Sequence, residues 1–166
     1  MLAGFTGTYH QKVDGKGRVS IPADHRRVIE AGQPNWQAGE SSKVYLVFGN
    51  HLDGYIEAYT VEEYVRITSQ IKAMKRSNPM RERLMRMFAG KSLVVDVDAN
   101  GRAILNKQLR EKLGVSDEGA ELMFVGLIDH FEIRLKDQAD IEEAEDAAWL
   151  EEQGDDFDLM ACLDEE

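Results

Sequence analysis

Cysteine is almost absent from this 166-residue chain. Cys162 is the only one, which excludes a disulfide within the chain. A lone cysteine is typical of proteins that work in a reducing compartment, so we expect the cytosol.

Long apolar runs are missing as well. The longest, residues 122–128, contains a glycine and is far shorter than the roughly 20 residues that span a bilayer. Residues 1–7 lack the basic start and apolar stretch of a secretory signal. We therefore expect neither a membrane partner nor secretion.

Signatures of catalysis and metal binding are also lacking. No Ser-His-Asp or paired-carboxylate set stands out, and the four histidines have no close partner at metal-ligand spacing. Residues 96–101 open like a calcium loop, but its twelfth position is Lys107 instead of Glu. Residues 90–92 resemble the end of a P-loop, but its first glycine is replaced by Met85. We expect no enzyme activity, no catalytic residue, no cofactor and no metal.

Charge is distributed very unevenly. The net charge is −11, but residues 137–166 hold 14 Asp or Glu and no Lys or Arg. The remaining 136 residues have 20 basic and 17 acidic side chains, a net of +3. Eight of these basic residues lie within 66–91, where Glu82 is the only acid. The acidic total therefore does not exclude nucleic acid as a partner of the body.

The body contains an internal repeat. Residues 13–18 read Val-Asp-Gly-Lys-Gly-Arg, and residues 97–102 read Val-Asp-Ala-Asn-Gly-Arg. Over fourteen aligned positions at this offset of 84 there are five identities, where chance gives roughly one. The last identity pairs Arg26 with Arg110. The chain is therefore a duplication.

Each repeat predicts the same elements. Asp followed by Gly favours a tight turn, so residues 7–13 and 18–21 should form a hairpin, followed by a short helix and two more strands. In the second repeat, Asn106 should cap the helix that ends before Gly114.

The repeats are joined by a helical connector. Thr60 and Glu63 form a capping box, and Asn78-Pro79 restarts a helix. Its apolar stripe (Met80, Leu84, Met87 and Phe88) predicts core or a subunit interface. Its basic residues are open to three interpretations: a solvated face, secondary phosphate contacts, or pairing with acidic groups of a neighbouring subunit or of the tail.

The duplicated Asp-x-x-Gly-Arg motif, with this connector and with residues 126–132 (Gly-Leu-Ile-Asp-His-Phe-Glu), resembles the MraZ family. The match spans residues 4 to about 136. It implies a fold that is mainly β with helices: a duplicated AbrB-type swapped hairpin, or double-split β-barrel, with a helical connector and an acidic C-terminal tail. The expected divisions are a first repeat (7–59), the connector (60–90), a second repeat (91–136) and the tail (137–166).

The resemblance also implies a function. MraZ proteins are sequence-specific DNA-binding transcriptional regulators of the division and cell-wall gene cluster. They bind direct repeats in promoter DNA as ring-like homo-oligomers, in the cytoplasm and on the nucleoid. The residues that match the DNA-contacting loop are Lys16, Gly17 and Arg18, with Arg102 as the counterpart in the second repeat.

Simple chemistry agrees with this assignment but leaves alternatives open. A two-stranded ribbon fits the major groove, where Lys16 can reach a phosphate and Arg18 a phosphate or a guanine. Glycines at 15 and 17 would let the backbone approach DNA closely. Alternatively, Asp14 and Arg18 pair only to hold the turn, and the same alternative applies to Asp98 and Arg102.

The tail supports a rival hypothesis. AbrB-type repeats also occur in antitoxins, whose acidic tails bind a protein partner. Here Trp149, Leu150 and Phe157 lie among acidic residues that could fold onto such a partner. The tail could instead cover the chain's own basic surface and weaken DNA binding.

Overall fold

The structure, a computed structural model, describes residues 2–165. They fall into two compact units that divide between Lys136 and Asp137. As predicted, the first unit is mainly β with helices.

Both repeats have the same order of elements, two strands, a helix and two strands, which confirms the duplication. The first repeat consists of β1 (Thr8–Val13), β2 (Arg18–Ser20), α1 (Ala23–Ala31), β3 (Ser42–Val47) and β4 (Ile56–Thr60). The connector contains α2 (Val61–Ala73) and α3 (Met80–Leu84), which continues as a π-helical turn over Met85–Ala89. The second repeat consists of β5 (Ser92–Val97), β6 (Arg102–Ile104), α4 (Lys107–Leu113), β7 (Ala120–Gly126) and β8 (Phe131–Leu135).

The strands are exchanged between the repeats. Six of them form one antiparallel sheet in the order β1-β7-β8-β4-β3-β5, and β2 pairs with β6 in a separate ribbon. Within a repeat, only β3 pairs with β4 and β7 with β8. This exchange is the one that the swapped-hairpin fold implies. The edge strands of the larger sheet are β1 and β5. Among residues 2–165, these two strands do not pair with each other, so the sheet is not closed into a barrel.

The hairpin predicted from residues 7–13 and 18–21 is wrong. The turn between them forms, with the Gly17 amide donating to the Asp14 carbonyl at 3.0 Å. However, β1 pairs with β7 and β2 with β6. Local bonds reverse the chain but do not select the partner strand, and pairing across the repeats buries alternate residues such as Val19 and Ala103.

The two repeats share one core. Ile29 on α1 and Leu113 on α4, which are equivalent at the offset of 84, are both fully buried. The predicted caps are present. The Asn106 side chain accepts from the Leu109 amide at 3.0 Å, and the Thr60 hydroxyl accepts from the Glu63 amide at 3.1 Å.

The connector packs against the first repeat in a second, aromatic core, in which Tyr64 stacks between Tyr45 and Phe88. Of the apolar stripe, only Phe88 is buried. Met80, Leu84 and Met87 are 51%, 39% and 38% exposed, which leaves a subunit interface as the predicted role of these three residues.

The second unit is helical. Helix α5 (Lys136–Glu152) leads into a 3₁₀ helix (Leu159–Asp164), and the rings of Trp149 and Phe157 meet edge to face at 5.5 Å. Across residues 2–165, no helix combines the length and apolarity required of a membrane span.

Candidate nucleic-acid interface

The first turn (residues 14–18) is organised by one carboxylate. Oδ1 of Asp14 accepts hydrogen bonds from the backbone amides of Lys16 and Arg18 at 3.0 and 2.9 Å. Oδ2 accepts from Nε of Arg18 at 2.6 Å. These bonds, first of all the one from the Arg18 amide, hold the pKa of Asp14 below its usual value, so the carboxylate stays ionised.

The ion pair with Asp14 leaves most of the Arg18 guanidinium available. An arginine has five N–H donors, and the pair engages Nε. Within residues 2–165, neither Nη atom has a hydrogen bond, and the side chain is 65% exposed. The pair that the alternative expected therefore forms, and it leaves both Nη groups without a hydrogen bond to residues 2–165. Lys16 is exposed as well, without an ion pair to any described residue.

Gly17 has a structural role that the sequence did not reveal. It is buried, with φ of +89°, and a Cβ there would lie 1.9 Å from the carbonyl oxygen of Leu105. A Cβ on Gly15 would similarly lie 1.8 Å from the carbonyl oxygen of Asp117. In the structure, these glycines admit the backbone of the second repeat, whereas the sequence suggested that they admit DNA.

The second turn (residues 98–102) has the same backbone design but less charge. Oδ1 of Asp98 accepts from the amides of Asn100 and Arg102, each at 2.9 Å. These bonds lower the pKa of Asp98, the Arg102 amide contributing most. Asn100 takes the place of Lys16, and the Arg102 guanidinium has no hydrogen bond or ion pair to the rest of residues 2–165. Arg102 thus holds its turn through its backbone, and its exposed side chain is free.

Each turn is braced by an arginine from the other repeat. Arg110 donates to the carbonyls of Leu105, at 2.8 Å, and Lys16, at 3.2 Å. Arg26 reciprocally donates to the carbonyl of Ala99. The sequence repeat already paired Arg26 with Arg110, but their function as braces was missed because it depends on contacts between the repeats.

The β2–β6 ribbon brings the predicted residues to one face. Arg18 lies opposite Ile104, and Ser20 lies opposite Arg102. All four are exposed, whereas Val19 and Ala103 between them are buried. Arg18 and Arg102 are diagonal neighbours, a relation that places Cα atoms about 7–8 Å apart.

Two clefts border this ribbon face. The larger, of about 560 Å³, is lined by both arginines together with apolar residues of β5. The smaller is lined by Arg18, Arg102 and Lys12. Lys12 was not recognised from the sequence, because its charge joins those of the two arginines only where β1 lies beside the ribbon in the folded chain.

A separate cluster could hold a metal ion. Glu57, His130 and Glu132 each offer one ligand atom, and these three atoms lie within 4.8 Å of one another. Sequence spacing missed the set because β4 and β8 bring it together. Its groups are already engaged: Nε2 of His130 lies 3.2 Å from Glu57, Nδ1 lies 2.6 Å from Asp129, and Arg134 contacts Glu132.

The charge state of His130 favours an ion pair over metal ligation. Burial disfavours the imidazolium, but hydrogen bonds to Glu57 and Asp129 outweigh it and raise the pKa of His130 to about 9. A metal would have to displace that proton. This arrangement fits an internal ion-pair network better than a metal centre.

Comparison with known proteins identifies the family. The sequence model of the family described as "MraZ protein, putative antitoxin-like" matches residues 4–87. A protein of Ruegeria pomeroyi named "Transcriptional regulator MraZ" is 41% identical over 167 residues, covering 99% of this chain and 97% of its own.

A more distant relative has the same name. The "Transcriptional regulator MraZ" of Acidovorax sp. is 31% identical over 153 residues, covering 92% of this chain and 96% of its own. The Ruegeria pomeroyi alignment also extends into the acidic tail, which the sequence motifs had left outside the resemblance. The chain belongs to the MraZ family.

Proposed function

We propose that this protein is a sequence-specific, DNA-binding transcriptional regulator. The observation that carries the proposal is the ribbon face, where two pseudo-equivalent turns, braced by Arg26 and Arg110, present exposed cations. Relatives of nearly full length named as transcriptional regulators support it. A two-stranded ribbon is a shape that the major groove admits.

In this proposal, the first turn makes the main contact. Lys16 reaches a phosphate, and the outward Nη edge of Arg18 bonds a phosphate or the O6 and N7 atoms of a guanine. Asp14 fixes the direction of that edge, and Gly17 shapes the turn without touching DNA. Arg102 adds a second cation at the diagonal position, and Lys12 adds a phosphate contact.

One ribbon is a small footprint, since three or four cations give weak binding at cellular salt. We therefore propose a homo-oligomer, arranged as a ring, that engages direct repeats in promoter DNA. Linking several weak contacts raises affinity through effective concentration. The targets would be the promoter repeats of the division and cell-wall gene cluster, repressed by a protein that acts in the cytoplasm on the nucleoid.

The test is a fluorescence-anisotropy titration with the chain's own upstream promoter DNA and a scrambled duplex, at two salt concentrations. Arg18→Ala should lower promoter affinity about 10- to 100-fold, because one bidentate guanine contact is worth roughly 1–3 kcal/mol. Binding should weaken at the higher salt concentration.

Arg27→Ala is the matched control. Arg27 on α1 is 64% exposed and pairs with Asp24, just as Arg18 is 65% exposed and pairs with Asp14. Its loss should leave affinity within about twofold. Equal affinities of the two variants would show that the ribbon is not the site.

A second candidate function is binding of a protein partner, antitoxin-like, through the acidic tail. The family description contains the term "antitoxin-like". The tail also exposes Trp149, Leu159 and Leu163. If the promoter and the scrambled duplex bind equally, a pull-down with the tail as bait becomes the deciding experiment.

A further inference from the structure

The connector has an exposed face that is both apolar and basic. Met80, Arg83 and Leu84 on α3, together with Met87 on the π-helical turn that continues it, are all exposed. Val65 on α2 is also 51% exposed. We call these five residues, with the neighbouring cations of 72–76, the connector surface.

The cations of this surface are largely uncompensated. Its four cations, Lys72, Lys75, Arg76 and Arg83, are exposed and have no ion pair among residues 2–165. Outside this surface, Arg66 pairs with Glu63, and Arg86 lies 3.6 Å from Glu82. An apolar patch with unpaired charge of one sign is the kind of surface that marks a protein contact.

The tail helix α5 has the complementary character. Ile141, Glu145, Ala148 and Glu152 recur at i, i+4, i+7 and i+11, so one face mixes apolar and acidic side chains. Ile141 is 59% exposed, and residues 137–166 contain no basic side chain. We call this face the tail surface.

We infer that the connector surface of one copy binds the tail surface of a second copy. Methionine and leucine side chains would pack against Ile141 and Ala148, while Arg83 and its basic neighbours would face Glu145 and Glu152. Each surface carries the charge opposite to that of the other, so a second copy supplies the complement of both. The inference rests on the homo-oligomer proposed above and names the contact that builds it.

Such a contact is head to tail. Each copy offers one connector surface and one tail surface, so every copy can bind two neighbours. A contact of this kind closes into a ring when the rotation between neighbours allows it. The tail would then be part of the assembly rather than an appendage.

Charge reversal in the full chain tests the inference without DNA. One variant carries Arg76→Glu and Arg83→Glu, and the other carries Glu145→Lys and Glu152→Lys. Each variant alone places like charges opposite each other at the positions that it reverses. Its dissociation concentration, measured by light scattering after size exclusion, should rise at least about tenfold.

Mixing the two variants should restore assembly to within about threefold of the original chain. In the mixture, the reversed residues of one connector face the reversed residues of the other variant's tail, and the unchanged connector faces the unchanged tail. Opposite charges therefore meet at these positions in every contact. Matched controls reverse two charges elsewhere, Arg27→Glu with Lys107→Glu and Glu40→Lys with Glu118→Lys. The controls should assemble as the original chain does.

Three results would overturn the inference. The original chain could be monomeric, each variant could assemble normally, or the mixture could remain dissociated. In the second case the homo-oligomer survives and only this contact fails. In the third, the tail binds the connector of its own chain or another partner. Promoter affinity, measured separately, decides the DNA-binding proposal.

Deleting residues 137–166 distinguishes a tail that binds a neighbouring copy from a tail that covers the basic surface of its own chain. We expect a smaller assembly and weaker binding to DNA with several repeats, while affinity for a single repeat stays within about twofold. A tail that only screens the chain's own basic surface would give the opposite result, with unchanged mass and tighter binding to both DNAs.

Discussion

At the scale of single residues, the glycines of the first turn illustrate how one position serves both conformation and packing. Gly17 needs its left-handed backbone, and its missing side chain leaves room for the carbonyl of Leu105. Because Arg18 follows directly, the packing of Gly17 also sets where the guanidinium starts. The residue therefore supports the proposed DNA contact from inside the protein.

Gly17→Ala should lower the free energy of unfolding by about 2–5 kcal/mol, because it adds a backbone clash to left-handed strain. Gly39→Ala is the matched control, since Gly39 has φ of +91° but a Cβ there meets nothing within 4 Å. It should cost only about 1–2 kcal/mol. Urea denaturation measures both values, and equal costs would contradict the clash.

At the scale of elements, the pairing of β4 with β8 creates an electrostatic problem and its solution. Glu57 and Glu132 lie directly opposite each other, where like charges repel. His130 compensates Glu57, and Arg134 compensates Glu132 while its guanidinium lies 3.6 Å from the ring centre of Tyr55. These two ion pairs thus offset the repulsion between Glu57 and Glu132 where the two repeats meet.

This junction predicts a pH dependence. The pKa of His130 is raised to about 9 in the folded chain, against about 6.5 when unfolded. Its contribution is complete below pH 6.5 and is lost as the pH rises through 9. Unfolding in urea should therefore show a loss of about 1–3 kcal/mol between pH 6.5 and pH 9.5.

His130→Gln should flatten most of that slope. His10→Gln is the control, because His10 pairs with Glu121 on the exposed side of β1. An unchanged slope in His130→Gln would assign the pH dependence to other groups.

At the scale of the whole molecule, neither repeat is a complete folding unit. All four strands of the first repeat pair with a strand of the second: β1 with β7, β2 with β6, β3 with β5 and β4 with β8. The shared core follows from this exchange, since both helices α1 and α4 contribute to it.

A fragment of residues 2–90 should therefore not fold as a monomer. Its free strands can pair with a second fragment, because the repeats have the same order of elements. We expect helix and sheet signals in circular dichroism that rise with concentration, and a dimer by light scattering. A folded monomeric fragment would contradict the dependence of one repeat on the other.

The sequence alone predicted much of the local structure. Asp14, Gly17 and Arg18 define their turn through hydrogen bonds within five residues. Thr60 and Asn106 each cap a helix by accepting a hydrogen bond from the amide three residues further along the chain. Such interactions depend only on neighbours along the chain, and so they can be derived from spacing. The motif pair and the connector also identified the family.

Only the tertiary structure decided which strands pair. The turns do not determine the partner of β1 or β2, and so the cross-braces by Arg26 and Arg110 and the common face of Arg18 and Arg102 could not be derived. The same holds for the cluster around His130. These features join residues about 70 or more positions apart, and their geometry is fixed by burial of a shared core, which spacing along the chain does not encode.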